Sequence, residues 1–161
     1  MSEKNICFRL AQQNDCRMLW EWSNHSSIRQ ASFSVAQIDW DSHVHWFNRK
    51  IINPDCYYWV AVDGYNKPIG QVRFELNQAT TEEAVISVSV APKYQGHGYG
   101  QPLIKSASRK LLMQTPVEHI TAFIKIKNIR SIRTFEKAGF HKIGKKIIKG
   151  QQSFVYIKSK F

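Results

Sequence analysis

Long apolar runs are missing from this sequence, and none approaches the roughly 20 residues that a membrane-spanning helix requires. Residues 1–9 carry charges at Glu3, Lys4 and Arg9 and lack the apolar stretch of a signal peptide. Internal repeats, low-complexity segments and Pro/Gly/Ser-rich linkers are missing too. These absences predict a single cytoplasmic domain over residues 1–161 that has no membrane partner.

Cysteine is scarce, and the three that occur, Cys7, Cys16 and Cys56, are widely spaced. They form no CxxC pair and have no metal-ligand spacing. The hydrophobic fraction of 43% is enough to build a core without a disulfide or a metal. We therefore expect buried or half-buried free thiols and no metal site.

Acidic residues are few, since 12 Asp and Glu against 23 Lys and Arg give a net charge of +11. Such an excess indicates an anionic partner: nucleic acid, a membrane surface or a phosphorylated cofactor. No RNP-like aromatic motif, zinc knuckle or helix-turn-helix signature occurs, so we expect no nucleic-acid partner, although a basic nucleic-acid binder stays open as an alternative. Near the C-terminus, two predicted strands would place much of the charge on a solvated sheet edge, where it discourages aggregation. The lysines there are Lys142, Lys145, Lys146, Lys149, Lys158 and Lys160.

Hydrophobic periodicity predicts an α/β protein. Strand patterns cover residues 6–10, 57–62, 69–76, 84–90, 119–126, 141–149 and 153–158, and helical patterns follow Asp15 and cover most of 34–52, 101–113 and 128–138. The polar residues 23–34 are expected to form a loop. A mixed sheet with helices on both faces accounts for this order, with the strands at 84–90 and 119–126 forming a parallel pair.

A glycine-rich turn joins the strand at 84–90 to the next helix, with Gln95, Gly98 and Gly100 in the pattern Q-x-x-G-x-G. The start of a helix offers unpaired backbone N–H groups and a positive dipole end, and glycines let a ligand approach the backbone closely. We therefore predict a diphosphate cradle with donors from Gly96 to Gln101. A Walker A loop is absent, and a GxGxxG fingerprint would need glycine where Gln101 stands. A plain glycine-rich turn stays open.

Two motifs together resemble the GNAT acetyltransferase superfamily. Gln95-Gly96-His97-Gly98-Tyr99-Gly100 resembles its Q/R-x-x-G-x-G/A pyrophosphate loop. Residues 128–140 are similar to its N-x-x-S-x-x-x-Y-E-K-x-G-F helix. The resemblance implies the GNAT fold, a splayed central sheet with helices on both faces, and an acetyl-CoA-dependent N-acetyltransferase.

The resemblance also implies where acetyl-CoA binds as co-substrate. Its pantetheine arm would pair with the strand ending at residue 90 like an added strand, and a backbone N–H there would polarise the thioester carbonyl. The family's helix would turn one face, at i, i+3 and i+7, toward the arm. The implied cofactor-binding residues are Val88, Ser89, Val90, Gln95, Gly96, His97, Gly98, Tyr99, Gly100, Gln101, Asn128, Ser131 and Phe135.

The catalytic groups are less defined, because Phe135 stands where the family often has a tyrosine that protonates the departing thiolate. A thiol pKa near ~8.5 lets the thiolate leave unassisted, or water or Tyr94 can serve as the acid. We expect Phe135→Tyr to keep or raise turnover. The base that deprotonates the amine is sought among four candidates: Ser87 (through water), Glu75, His43 and Glu83.

The N-terminal third covers the acceptor side in GNAT folds, and its W-x-N…R…H-x-x-W-F arrangement resembles the nucleotide-sugar N-acetyltransferases of nonulosonic and pseudaminic acid pathways. The resemblance implies an amino group on a UDP-linked amino-deoxy sugar as the acceptor. Alternative acceptors are a protein N-terminus and an aminoglycoside, and the alternative to an enzyme is a non-catalytic acetyl-CoA-binding module. The tryptophans of this region could instead pack between helices in the core. A homodimer is possible. The expected substrate-binding residues are Trp22, Asn24, Arg29, His43 and Trp46.

Overall fold

The structure, a computed structural model, describes residues 4–161 as a mixed sheet with helices on both faces. The strands are β1 (Cys7–Leu10), β2 (Cys56–Val62), β3 (Pro68–Leu76), β4 (Glu83–Val90), β5 (His119–Lys125), β6 (His141–Ile148) and β7 (Gln151–Ser159). The helices are α1 (Cys16–Asn24), α2 (Ser26–Ala31), α3 (Trp40–Ile52), α4 (Gly100–Gln114) and α5 (Ile129–Lys137). Within the described residues, no helix is long and apolar enough to cross a membrane.

The 7-stranded sheet has the order β1-β2-β3-β4-β5-β7-β6, and its neighbours are antiparallel except for the parallel pair β4–β5. That pair is short, because its register ends at Val85 opposite Thr121. Beyond this point β4 stays paired with β3 up to Val90, and β5 stays paired with β7 up to Lys125. The two halves of the sheet therefore separate and leave an open gap, which confirms the predicted parallel unit and splayed sheet.

Two hydrophobic clusters lie on opposite faces of the sheet. The larger one joins alternate residues of β2 to β5 to the apolar side of α4, including Phe74, Leu103 and Leu111. The smaller one packs α1 and α3 on the other face, around Phe47 and Tyr58. Because side chains alternate along a strand, the intervening residues of β3 and β4 face α3. We call this α3-covered side of the sheet the acceptor face.

The N-terminal third differs from the predicted elements. Residues 23–34 were expected to form a loop but contain α2, whose start is capped by His25 Nδ1 accepting from the Ser27 N–H at 3.3 Å. The helix expected from residue 34 begins only at Trp40, because the Asp39 carboxylate accepts from the Ser42 N–H at 2.9 Å and so fixes the helix start there. Local capping chemistry thus decided both boundaries.

Asp15, expected to cap α1, has a different role. Its carboxylate accepts two hydrogen bonds from the Arg9 guanidinium, at 2.7 and 2.8 Å, and one from the Gln12 N–H at 2.7 Å. It therefore ties β1 to the 3-10 turn that precedes the helix. Cys7 is exposed, so the expectation of a buried or half-buried thiol is wrong for that residue.

The C-terminal lysines follow the prediction more closely. β6 forms the edge of the sheet and carries Lys142, Lys145 and Lys146 in a strand that is exposed along nearly its whole length. Charged side chains on such an edge oppose pairing with another chain. The predicted solvated edge strand is therefore confirmed.

Candidate active site

The glycine turn between β4 and α4 depends on two left-handed backbone positions. Gly96 has φ +78° and Gly98 has φ +80°, conformations that a residue with a Cβ adopts at a cost. A Cβ built at either position would have no atom of residues 4–161 within 4 Å, so packing within this part of the protein does not require glycine there. The open side of the turn is free for a ligand that approaches the main chain.

The turn also presents unused hydrogen-bond donors. Tyr94 and Gln95 donate their N–H groups to the carbonyls of Ala91 and Pro92, at 2.8 and 3.3 Å. Between Gly96 and Gln101, in contrast, no backbone N–H has an acceptor within residues 4–161. These N–H groups lie at the positive end of α4, so the residues present fit a diphosphate. We call residues 96–101 the cradle.

The second motif lies directly beside the cradle. A Cβ at Gly100 would come 3.0 Å from Thr134 Cγ2, so glycine allows α4 to begin close to α5. Gln101 Nε2 donates to the carbonyl of Lys137 at 3.3 Å, and this bond ties the start of α4 to the end of α5. The fold thus brings together the two segments that the family resemblance singled out.

The predicted cofactor-binding residues of α5 have clear structural partners. Asn128 caps the helix, since its Oδ1 accepts from the Ser131 N–H at 3.2 Å. Phe135 is only 5% exposed and meets Phe140 edge to face, with ring centroids 5.1 Å apart. Its ring therefore belongs to the hydrophobic core, a packing role that the sequence did not indicate. Tyr94, the alternative acid, is half-buried and packs edge to face on Tyr99 at 5.7 Å.

The edge of β4 that faces the gap begins just after Val85. Residues 86–90, which include the predicted Val88, Ser89 and Val90, have β3 on one side and, among residues 4–161, no strand on the other. An extended ligand could hydrogen-bond to this free edge as an added strand. Ser87 lies at the start of the free edge, a position that would place its hydroxyl near the thioester and the amine.

A row of polar side chains from β3 supports the serines of β4. Gln71 Nε2 donates to Ser89 Oγ at 3.0 Å, and Arg73 Nη2 donates to Ser87 Oγ at 3.3 Å. The Arg73 guanidinium also lies 4.8 Å from the Trp46 ring centroid, within cation–π range. Arg73 was not among the predicted site residues, although the alternation of polar residues along β3 (Gln71, Arg73, Glu75) was a signal that one sheet face is polar.

Glu75, a predicted base, is held by two cations on the acceptor face. The Lys50 ammonium bonds its carboxylate, and Arg73 Nε lies 3.8 Å from Oε1. Burial raises the pKa of Glu75, but the two cations outweigh burial and leave that pKa below its usual value. A carboxylate with a lowered pKa stays ionised and is a weak base. Glu83, the fourth candidate, is exposed and lies opposite His119 at the closed end of β4–β5, away from the gap.

His43, predicted both as a base and as a substrate ligand, is buried, with 3% of its surface exposed. Its Nε2 donates to the Cys16 carbonyl at 3.0 Å, and its ring stacks on Phe47 with centroids 5.9 Å apart. Burial lowers the pKa of His43 more than the Cys16 carbonyl raises it, so the ring is neutral near pH 7. The imidazole joins α1 to α3, which is a structural role.

Asn24 and Arg29 were expected to bind substrate because helix packing did not need them, and that reasoning is wrong. Asn24 exchanges two hydrogen bonds of 2.8 Å with the backbone of Ile38. Arg29 donates to the carbonyls of Ser23 and Ser34 at 2.6 and 2.8 Å. Both side chains hold the segment between α2 and α3 against the preceding helices. Any contact with substrate stays a prediction.

The tryptophans expected to bind substrate, Trp22 and Trp46, are both half-buried and pack against the α1–α3 cluster. Trp46 also covers Arg73, so it reaches the acceptor face. Both rings thus pack between helices, as the alternative interpretation expected. Trp46 also borders the row of polar β3 side chains at Arg73. Within the described residues, no group of three or more His, Cys, Asp or Glu side chains could hold a metal ion.

Comparison with known proteins places this geometry in a family. A family model described as an acetyltransferase (GNAT) domain matches residues 5–141. No curated protein gives a significant match. A structure of the aminoglycoside acetyltransferase AAC(6')-Ib with ribostamycin and coenzyme A superimposes with TM-score 0.85 at 20% identity, covering 96% of this chain and 93% of that one. Spermidine N-acetyltransferase from Vibrio cholerae with CoA and spermine gives TM-score 0.83 at 22% identity, covering 97% and 96%.

At these sequence identities the two structures support the fold alone. Neither is a nucleotide-sugar enzyme, so the resemblance to the nucleotide-sugar N-acetyltransferases stays a prediction. The family model, in contrast, spans most of the sequence and includes both the cradle and α5. Together with the splayed sheet and the free amides, it confirms the predicted fold and enzyme class: the chain belongs to the GNAT acetyltransferase family.

Proposed function

We propose that this acetyltransferase uses acetyl-CoA to acetylate the primary amine of a UDP-linked amino-deoxy sugar. The observation that carries this proposal is the positive charge of the acceptor face. Arg73 and Lys50 lie on it, and by strand register Lys125 and Lys146 share it beyond the gap. A diphosphate-linked substrate would meet complementary charge there.

The acidic residues of this face support the same conclusion. Glu75 is already bonded by Lys50 and faces Arg73, so little negative charge is left for a cationic substrate. Glu83 lies at the closed end of the β4–β5 pair. A polycation such as an aminoglycoside or spermine, the ligands named for the similar structures, would be repelled by Lys125 and Lys146, which within residues 4–161 have no acidic partner. The half-buried ring of Trp46, which lies over Arg73, suits a sugar or a uracil.

The chain's own groups suggest a direct transfer. The cradle would hold the coenzyme diphosphate through main-chain N–H groups, and the free edge of β4 would align the pantetheine arm beside the gap. The amine, as a nucleophile, would attack the thioester carbonyl while a backbone N–H of β4 stabilises the developing oxyanion. Breaking the C–S bond would then release the coenzyme as a thiolate, which can leave without a protein acid because a thiol pKa is about 8.5. Ser87 is our choice for the group that orients a water molecule toward the amine proton, because its hydroxyl begins the free edge and is held by Arg73.

An aminoglycoside is the second candidate, because the chain shares its fold with an aminoglycoside acetyltransferase whose structure holds kanamycin. The charge of the acceptor face argues against it. The two candidates therefore differ in one measurable property, which is whether negative charge on the acceptor raises or lowers the reaction rate.

A thiol-release assay tests this difference. The acceptors are a UDP-linked 4-amino-6-deoxy sugar, the methyl glycoside of the same amino sugar as the matched control without diphosphate, kanamycin and spermidine. Two charge-assisted contacts of about 1.5 kcal/mol each predict a kcat/KM about a hundredfold higher for the UDP sugar than for its methyl glycoside. Equal rates for the two sugars, or a preference for kanamycin, would contradict the proposal. Binding of acetyl-CoA without thiol release from any amine would favour the non-catalytic module.

A further inference from the structure

A positively charged cleft lies on the face of the sheet opposite the acceptor face, between the second half of α4 and the end of β7. Its volume is about 300 Å³. Four of its side chains are cationic, and within residues 4–161 none of the residues that line it is acidic. The lining consists of Lys105, Arg109, Lys158 and Lys160 with the apolar side chains of Leu112 and Met113.

Within residues 4–161 these cations have no counterion. In the described part of the chain, the ion pairs join Arg9 to Asp15 and Glu75 to Lys50 and Arg73, and none includes a cation of the cleft. Lys158 is half-buried and donates to the Ala138 carbonyl at 2.8 Å, which leaves two of its three N–H donors unused. Burial, and then the nearby Lys105 ammonium, lower the pKa of Lys158. Bringing such charges together is unfavourable unless an anion binds between them.

The cleft and the cradle are neighbours along α4. Lys105 follows Gln101 by four residues, a rise of about 6 Å along the helix. On the other side, Gln101 bonds to the Lys137 carbonyl and Lys158 bonds to the next one, that of Ala138. The cradle and the cleft thus lie along the same side of α4 and α5.

We propose that this cleft binds the 3′-phosphate of the coenzyme, with Lys105 and Lys158 as its direct ligands. The inference rests on the proposed use of acetyl-CoA, whose diphosphate would occupy the cradle. Coenzyme A carries a phosphomonoester on the same ribose that bears the diphosphate, so one molecule presents two anionic groups to these two neighbouring sites. The cleft thereby distinguishes coenzyme A from coenzymes that lack this phosphate.

The test compares the binding of coenzyme A and 3′-dephospho-coenzyme A by isothermal titration calorimetry. Lys105→Met and Lys158→Met are measured singly, and Lys67→Met serves as the matched control because Lys67 is an exposed lysine in the β2–β3 turn. For the wild type we expect about tenfold tighter binding of coenzyme A, the size of one good charge-assisted hydrogen bond. Each cleft variant should bring this ratio close to one without changing the affinity for the dephospho compound, and Lys67→Met should leave it unchanged.

The outcomes separate the possible failures. If the wild type binds both compounds equally well, this inference is wrong and the cradle stands; if it binds neither, the proposed function itself fails. A similar loss of both affinities in Lys105→Met would mean that the cleft acts only through general charge, which also overturns the inference. A titration with inorganic phosphate in the presence of saturating coenzyme A is the last arm. If phosphate then stabilises the wild-type protein but not Lys105→Met, the cleft binds a separate anion and the inference is overturned.

Discussion

The two sides of the gap in the sheet are built from different parts of the chain. On the coenzyme side, the groups that would contact the diphosphate and the pantetheine arm are main-chain groups of the cradle and of the free edge of β4. On the acceptor side they are side chains, brought together from α3, β3 and β4, such as Lys50, Arg73 and Ser87. A main-chain site depends on the conformation of a few consecutive residues, whereas a side-chain site depends on the packing of distant elements. Substitutions should therefore act differently on the two sides.

The largest effect should come from Gly98→Val on the coenzyme side. The side chain would stand in the open space above the cradle, and the left-handed φ of +80° would be strained. We expect acetyl-CoA affinity to fall by about a hundredfold or more, which corresponds to at least about 3 kcal/mol. The measurement is calorimetry, with the coenzyme-induced rise in Tm as a second readout.

Gly150→Val is the matched control for this substitution. Gly150 has φ +76° in the β6–β7 turn, and a Cβ there also has no atom within 4 Å. Both variants should lose about 1–2 kcal/mol of stability from the left-handed backbone, but only the first should lose coenzyme binding. If Gly98→Val still bound the coenzyme normally, the cradle would have to lie elsewhere.

The next effect should come from Arg73→Met on the acceptor side. Loss of the guanidinium removes a cation that would face the substrate diphosphate, and it removes the hydrogen bond to Ser87. We expect the KM for the UDP sugar to rise by about thirtyfold, or about 2 kcal/mol, while the KM for acetyl-CoA stays within twofold. Arg73→Lys, which keeps the charge but not the planar group, should recover part of the loss. A rise confined to the KM for acetyl-CoA would contradict the division between the two sides.

This division explains how much of the molecule could be predicted from its sequence. The cradle was found because its chemistry is local: consecutive residues 96–101 carry both the glycines and the donors. Strand and helix positions from β2 onward also follow local periodicity, and the observed bounds differ from the predicted ones by one or two residues. No pattern along the chain shows that Lys50 of α3 meets Glu75 of β3, because that contact depends on how α3 lies across the sheet.

The same limit accounts for the polar residues of the N-terminal third. Asn24 and Arg29 are polar residues in a region assigned to the acceptor, and from the sequence they resembled ligands. In the structure their hydrogen bonds go to Ile38, Ser23 and Ser34, because the irregular segment before α3 has backbone groups that no regular element satisfies. A polar side chain next to a loop can therefore be needed for the loop itself, and composition does not distinguish the two roles.

A smaller effect is expected for Ser87→Ala, which tests the boundary between the two sides. If Ser87 orients a water molecule toward the amine proton, kcat should fall by about tenfold with both KM values unchanged, which is less than the roughly 10²–10⁴-fold of a direct general base because Ser87 acts through water. Ser89→Ala is the control, because Ser89 lies on the same face of β4 and accepts an equivalent hydrogen bond from Gln71. Pre-steady-state acetyl transfer with the UDP sugar gives the rate. Equal losses in the two variants would mean that the polar row only stabilises the fold.

The smallest effect is expected for Phe135→Tyr. This substitution tests whether the buried face of α5 contacts the coenzyme or only packs in the hydrophobic core. The ring is 5% exposed against Phe140, so an added hydroxyl would be buried without an evident partner. We expect a loss of about 1 kcal/mol in unfolding free energy, at the low end for a buried polar group, and turnover at low temperature equal to that of the wild type or higher. Urea unfolding at 10 °C and the rate of thiol release measure the two quantities. Phe135→Leu, which adds no hydroxyl, separates cavity formation from polar burial. If the tyrosine raised kcat with no loss of stability, its hydroxyl would have to reach the gap, and α5 would then contribute a side chain beside the pantetheine arm, where the other contacts are main-chain groups.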